Sequence, residues 1–144
     1  MVAVDTNVLV YAHRTDAPFH KSAVAAIESL ATANVNWAIP WPCVHEFLAI
    51  VTNPRVFKSP TPMPIAVKHL QSLAELAHCM LIGEEDDYFE QLAALLVSGQ
   101  ITGGMVHEAR IAAICVQHGV TELWSADRDF SRFPALKTRN PVTG

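Results

Sequence analysis

Four carboxylates stand where the surrounding pattern asks for apolar side chains, and chemistry would reside there. Asp5 interrupts the apolar run Met1-Val2-Ala3-Val4 just before Val8-Leu9-Val10 resumes it. That pattern reads as a buried strand that delivers Asp5 to its C-terminal end, with a helix beginning directly after. Glu46 falls in a short helical stretch with Cys43, Ala49 and Ile50 on its face, and Glu108 in another with Met105, Ala112 and Cys115. Spacings of three, four and seven residues share one side of a helix, so both carboxylates are expected to point into the core. Asp127 follows Leu123-Trp124-Ser125-Ala126, a strand-like stretch, with Asp129 two residues further on.

Burying an ionised carboxylate costs on the order of several kcal/mol unless a cation or a set of donors compensates. A helix cap at Asp5, for which Thr6 and Asn7 are equally good candidates, or a buried ion pair would account for any single member. Four members would need four such partners, and most basic residues lie elsewhere on polar stretches. One shared divalent cation answers all four, because clustered carboxylates raise one another's pKa unless a cation sits among them. Oxygen ligands without His or Cys at metal spacing favour Mg²⁺ or Mn²⁺ over zinc. Such a site suits hydrolysis of a phosphodiester, with one ion or two. Ser125 is expected to orient Asp127, and Thr6 or Asn7 to orient Asp5.

The elements that must position these residues alternate. Val2 to Asp5, Trp37-Ala38-Ile39-Pro40, Cys79-Met80-Leu81-Ile82 and Glu122-Leu123-Trp124-Ser125 read as strands, with a short fifth at 136–139 on the sheet edge. Helical patterns follow Pro18, run over 43–51 until Asn53-Pro54, over 64–77, to about 97, and over 105–118. The last of these is apolar nearly all round and is expected to be buried. Glu84-Glu85-Asp86-Asp87 is expected to favour the positive N-terminal end of the helix that follows it. The sum is a single α/β domain over residues 1–144, with a mainly parallel sheet of four to five strands and helices on both faces. Ligands bind such sheets beyond the carboxyl ends of the strands, where strand order reverses, and Asp5 and Asp127 both fall at such ends.

Composition narrows the classes. The chain is 51% hydrophobic with a mean hydropathy of +0.23, and fourteen Asp and Glu against ten Lys and Arg give a net charge of −4. That balance argues against wholesale wrapping of nucleic acid, although four of the ten cations lie in the last seventeen residues. Cys43, Cys79 and Cys115 are an odd, scattered set that reads as core thiols in a reducing compartment. No apolar run approaches the roughly 20 residues of a membrane span and no basic leader opens the chain, so a cytoplasmic protein is expected.

Val4-Asp5-Thr6-Asn7-Val8-Leu9, Glu46 in a helix after the second strand, Val106-His107-Glu108-Ala109-Arg110-Ile111-Ala112-Ala113, and Trp124-Ser125-Ala126-Asp127-Arg128-Asp129-Phe130 with Arg139-Asn140-Pro141 trailing resemble a PIN-domain ribonuclease of the VapC toxin type. The resemblance covers nearly the whole chain in order. It implies a Mg²⁺- or Mn²⁺-dependent endoribonuclease acting on structured RNA such as tRNA or ribosomal RNA, a homodimer, and an inhibitory antitoxin protein over the acidic pocket. It implies that Asp5, Glu46, Glu108 and Asp127 are the acidic quartet and that Asp129 is a further metal-site carboxylate. Where the family usually carries Asp, this chain has Glu108, one methylene longer, and Mg²⁺ tolerates displaced ligands badly. Arg14, Arg110 and Arg128 lie beside the acidic motifs as candidate phosphate contacts, or as ion-pair partners of the quartet. Phe57, the Pro-rich loop after it and the early apolar helices are candidates for a dimer or antitoxin surface.

Other readings are weaker. His45-Glu46 would need a second His at position 49 to make a zinc protease, and that residue is Ala49. An aspartyl-phosphate phosphatase needs Asp-x-Asp after the first strand, and Asp5-Thr6-Asn7 does not supply it. A PIN-like module that binds RNA or protein without efficient cleavage is the alternative from another class, and Glu108 is its support.

Overall fold

The apolar runs become five parallel strands, β1 (Val2–Val4), β2 (Trp37–Pro40), β3 (Cys79–Ile82), β4 (Glu122–Trp124) and β5 (Lys137–Arg139), in the order β3-β2-β1-β4-β5. The structure is a computed structural model that describes residues 1–127 and 129–143, with only the backbone described at Asp129. Between the strands run α1 (Thr6–His13), α2 (His20–Thr32), α3 (Trp41–Val51), α4 (Met63–Ala74), α5 (Tyr88–Ser98) and α6 (Val106–Gln117), with short 3-10 turns at Gly103–Met105 and Asp129–Arg132. β1 is the central strand, flanked by β2 and β4, which is why Ala3 and Val4 are wholly buried and no polar alternation survives in it. Strand order reverses between β1 and β4, so a crevice opens beyond the ends that carry Asp5 and Asp127.

α6 is the buried helix that its composition predicts. Ala109, Ile111, Ala112, Ala113, Ile114 and Cys115 are all shielded. Pro42 sits in the first turn of α3, where its missing N–H costs nothing, so the helix starts at Trp41, directly after β2. Cys43 and Cys115 are core thiols as expected, whereas Cys79, on the edge strand β3, is only half-buried.

The acidic run lies directly before α5, as expected, but does not cap it through a side chain. Asp87 takes the position before α5 in a left-handed conformation and makes no side-chain cap. The run also clasps α6: Arg110 Nε donates to Glu84 Oε1 at 2.6 Å, Gln117 Nε2 donates to the Asp86 carbonyl at 3.0 Å, and Gln117 Oε1 accepts from the Glu85 N–H at 3.2 Å. Both Gln117 bonds reach backbone groups of the run, so of these contacts only the Glu84 carboxylate is drawn to α6, by the directed Arg110 bond, while the run keeps its expected place before α5.

α4 is held to α1 and α3 through imidazoles. His13 and His69 approach to 4.3 Å between ring centroids, His69 stacks on Phe47 at 5.7 Å, and the buried His69 Nε2 has no hydrogen-bond partner. Burial lowers the His69 pKa from 6.5 to about 4, with the neighbouring His13 adding to the effect. His13 is likewise lowered, by burial first and then by Arg14 and His20. Both groups stay neutral in the fold and take up protons more readily when unfolded, so their contribution is present above pH ~6.5 and is lost as pH falls toward the folded-state values. His69→Phe keeps the ring stack and removes one titration. The wild type minus variant difference in Tm should therefore shift by about 3–5 °C between pH 7 and pH 4.5 in thermal melts, at the expense of the wild type. An invariant difference would mean that His69 is as easily protonated folded as unfolded.

Candidate active site

The four carboxylates of the site come from two strand ends and two helices. Asp5 follows β1 and is 5% exposed, and its backbone N–H donates to the Trp124 carbonyl at 3.0 Å, which ties it to β4. Its carboxylate accepts from the Thr6 N–H at 2.8 Å, from the Ser125 hydroxyl at 2.7 Å and from the Cys43 thiol at 3.5 Å. Asp5 thus does cap α1, as the plainer reading of the sequence allowed, yet its second oxygen turns to Ser125. Every one of these donors is neutral. Burial consequently holds the Asp5 carboxyl above the ordinary carboxylate range, the three bonds pull the other way, and the Glu46 charge adds to the effect of burial.

Asp5, Glu46, Glu108 and Asp127 line one cavity of about 180 Å³, together with Thr6, Asn7, Ile50, Ile111 and Phe130. Glu46 is exposed rather than core-facing: α3 buries Cys43, Val44, Phe47 and Val51, and Glu46 falls at the edge of that face, over the cavity. Its Oε2 accepts from the Thr6 hydroxyl at 2.8 Å. Glu108 and Asp127 are half-buried. No Lys or Arg among the described residues pairs with Asp5, Glu46 or Glu108. Nor do any three His, Cys, Asp or Glu side chains among the described residues stand close enough to hold a metal ion. Carboxylate oxygens gathered around Asp5, which has no Lys or Arg partner among the described residues, fit a hard divalent ion.

The polar residues around the quartet are cross-braced in a way the sequence did not reveal. Thr6 serves both carboxylates, with its N–H to Asp5 and its hydroxyl to Glu46. Ser125 donates to Asp5 and accepts from the Asp127 N–H at 2.9 Å and from Asn7 Nδ2 at 3.3 Å. Asn7 Oδ1 accepts from the Ala126 N–H at 3.1 Å. Asn7 therefore orients the turn carrying Asp127 rather than Asp5, and the Ser125 side chain holds Asp5 rather than the Asp127 carboxylate. Cys43 is the contact to Asp5 that sequence reasoning left as a packing residue; its place one turn before Glu46 was the available signal. Burial raises its thiol pKa well above the usual value.

Neither Arg14 nor Arg110 lines the cavity. Arg14 forks onto Asp16 at 2.6 and 2.9 Å, donates to the Ser59 carbonyl at 2.7 Å and lies 4.1 Å over Phe57, with 11% of its side chain exposed. It pins the loop after α3, and Phe57, expected on an interaction surface, lies beneath it. Arg110 is taken by Glu84. Arg128 and the side chain of Asp129, expected at the RNA and at the metal, lie outside the described residues.

Comparison with known proteins places this architecture. The PIN domain family matches residues 2–136. The chain is 33% identical over 144 residues to the VapC ribonuclease Mb2897 of Mycobacterium bovis, covering 100% of this chain and 97% of that one. It is 27% identical over 140 residues to ribonuclease VapC48 of Mycobacterium tuberculosis, covering 97% of each. Among solved structures, VapBC2 of Rickettsia felis bound to a promoter DNA fragment superposes with a TM-score of 0.71 at 20% identity, over 96% of this chain and 98% of that one, a likeness of fold. A parallel five-stranded sheet whose reversal point gathers carboxylates from β1, α3, α6 and the β4 turn, matched by the family over nearly its whole length, makes this chain a member of the PIN domain family.

Proposed function

We propose that the protein is a divalent-metal-dependent endoribonuclease, the toxin of a type II toxin–antitoxin pair, hydrolysing phosphodiester bonds in structured RNA of the tRNA or ribosomal class. The observation that carries the reading is Asp5, a buried carboxylate that among the described residues meets only neutral donors and shares its cavity with three more carboxylates. Asp5, Glu46, Glu108 and Asp127 would hold Mg²⁺ or Mn²⁺, with Asp129 as a further candidate. The ion would polarise a phosphodiester oxygen and ease deprotonation of an attacking water. Ser125 and the Thr6 N–H hold the Asp5 oxygens in place, and the Thr6 hydroxyl holds one Glu46 oxygen and leaves the other for the site.

The relatives named VapC ribonucleases and the neighbour solved as VapBC2 support the toxin role and an antitoxin partner. A homodimer would cover part of the strongly exposed apolar surface, including Phe89 and Val97 on α5. No helix among the described residues is long and apolar enough to cross a membrane, in keeping with a cytoplasmic site of action.

The separation of the carboxylates, with Glu108 where the family usually has Asp, favours a second reading: a PIN module that binds RNA and cuts it poorly. Labelled RNA incubated with the protein and Mg²⁺ or Mn²⁺ separates the two. Cleavage that EDTA stops is the expected result. RNA that stays whole in both metals while remaining bound assigns the protein to the second class.

A further inference from the structure

We propose that the cleft beside Asp127, between the end of β4, the last 3-10 turn and the segment after β5, is the subsite for a ribose next to the scissile phosphate, with Thr138 and Asn140 reading its 2′-hydroxyl. This rests on the ribonuclease reading and adds to it the residues by which RNA is told from DNA.

The chemistry makes such a site necessary. A water activated by a divalent ion attacks phosphorus directly, so the 2′-hydroxyl takes no part in the bond change. The acidic quartet by itself would cut either polymer. A preference for RNA then has to come from contacts to the sugar, whose 2′-hydroxyl sets RNA apart.

The cleft has a volume of about 450 Å³ and shares Asp127 with the acidic cavity, so its occupant lies directly beside the quartet. Ser125, Ser131, Thr138, Asn140 and Thr143 supply the rest of its polar lining. That composition selects the part of a nucleotide it can hold. No aromatic ring among the described lining residues offers a base a stacking partner, and no Lys or Arg among them offers a phosphate its charge. Hydroxyls and a carboxamide both donate and accept, as a sugar hydroxyl requires of its partners.

Two of these groups are fixed in place without being satisfied. Thr138 is the middle residue of β5, half-buried and in register with the buried Leu123 of β4, and its branched side chain is restricted in rotation. Asn140 Oδ1 accepts from the Val142 N–H at 3.1 Å, which sets the plane of the amide and leaves its NH₂ group to donate. Among the described residues neither the Thr138 hydroxyl nor Asn140 Nδ2 has a protein partner. The Ser125 hydroxyl, by contrast, is engaged by Asp5, the Asp127 N–H and Asn7, so it walls the cleft rather than reading a ligand. Charge at this edge favours the same path. Lys137 and Arg139 flank Thr138, are exposed and make no ion pair among the described residues, whereas Arg14 and Arg110 are paired. A polyanion approaching the quartet is drawn toward β5.

The test measures a ratio of two affinities, with every protein carrying Asp5→Asn so that no strand is cut. Fluorescence anisotropy in saturating Mn²⁺ compares a short unpaired oligoribonucleotide with its 2′-deoxy counterpart of identical base sequence. With two hydrogen bonds to the hydroxyl, the ribose strand should bind about 10-fold more tightly. Thr138→Val keeps the shape and removes the hydroxyl; it should lower RNA affinity about 3- to 10-fold, the scale of one hydrogen bond, and leave DNA affinity unchanged. Thr138→Ser should retain the preference. Asn140→Asp keeps the oxygen that accepts from Val142 and loses the donor. Its added charge weakens both strands alike and cancels in the ratio, which should fall by a similar factor. A ratio near one in the starting protein, a ratio unmoved by either variant, a loss in Thr138→Val shared by the deoxy strand, or a serine variant as weak as the valine variant would each overturn the proposal. So would failure to bind the RNA at all. A wild type that cuts no RNA while these ratios hold would sink the ribonuclease reading and leave the subsite standing.

Discussion

Asp5→Asn should abolish metal-dependent RNA cleavage and at the same time stabilise the metal-free protein. The loss of rate should be about a thousandfold or more, because on the proposed mechanism several kcal/mol of charge stabilisation would rest on an ion that the variant would hold poorly. The gain in stability follows from burial. Asp5 is 5% exposed, its donors are all neutral, and its carboxyl is raised above the usual range, by burial before anything else. A carboxyl raised in the fold binds its proton more tightly folded than unfolded. Its contribution is therefore present at low pH and is lost as pH rises through the folded-state value. At neutral pH the wild type bears the full cost and the amide does not. In EDTA the variant should melt a few degrees higher, the scale that about 1 kcal/mol sets for a chain of this length, and the gap should close as pH approaches 4. Saturating Mn²⁺ should reverse the order, since a ligand that binds only the native state raises Tm in proportion to its occupancy. Melts in EDTA and in Mn²⁺ across pH check all three parts. A variant less stable than the wild type in EDTA would show that the charged form of Asp5 is satisfied without metal.

Much of this was legible from one sequence because the informative contacts are carried by local pattern. A carboxylate that closes an apolar run must lie at a strand end, and Val2–Val4 with Asp5 behaves that way. β2 and β3 coincide with the apolar tetrapeptides bounded by Pro and Gly, and the alternation of strand and helix forces a parallel sheet. What local pattern does not hold is direction across space. Spacing put Glu46 on the side of Cys43, but it could not tell the buried centre of that face from its edge, and Glu46 lies at the edge. Whether the acidic run before α5 would also reach another helix depended on where Arg110 and Gln117 of α6 come to rest. Arg14 was near the first motif in sequence but is drawn off by Asp16 and Ser59. The assignment of Ser125 and Asn7 spans more than a hundred residues, and that of Thr6 to Glu46 spans 40, so each needed the fold.

Ser125 is the positioning residue whose removal should cost most. Its hydroxyl joins the Asp5 carboxylate, the Asp127 N–H and the Asn7 amide, so Ser125→Ala loosens the two strand ends that bring the quartet together while leaving every carboxylate present. Loss of a group that orients a metal ligand typically costs 10- to 100-fold in metal affinity or activity, and the cost should lie here in the affinity. The Mn²⁺ concentration for half-maximal cleavage should then rise about 10- to 100-fold, with most of the rate recovered at saturation, which Asp5→Asn cannot achieve. A second readout separates orientation from mere packing. The Ser125 bond is the largest of the effects that pull the Asp5 pKa down against burial. Without it the carboxyl holds its proton to a higher pH, and because a metal must displace that proton, the acid limb of the pH–rate profile should move upward at fixed Mn²⁺. Ser125→Thr keeps the hydroxyl and should restore both the metal requirement and the acid limb to near the wild-type positions. An alanine variant with lowered rate but unchanged metal requirement and acid limb would show that Ser125 only fills space between β4 and α1.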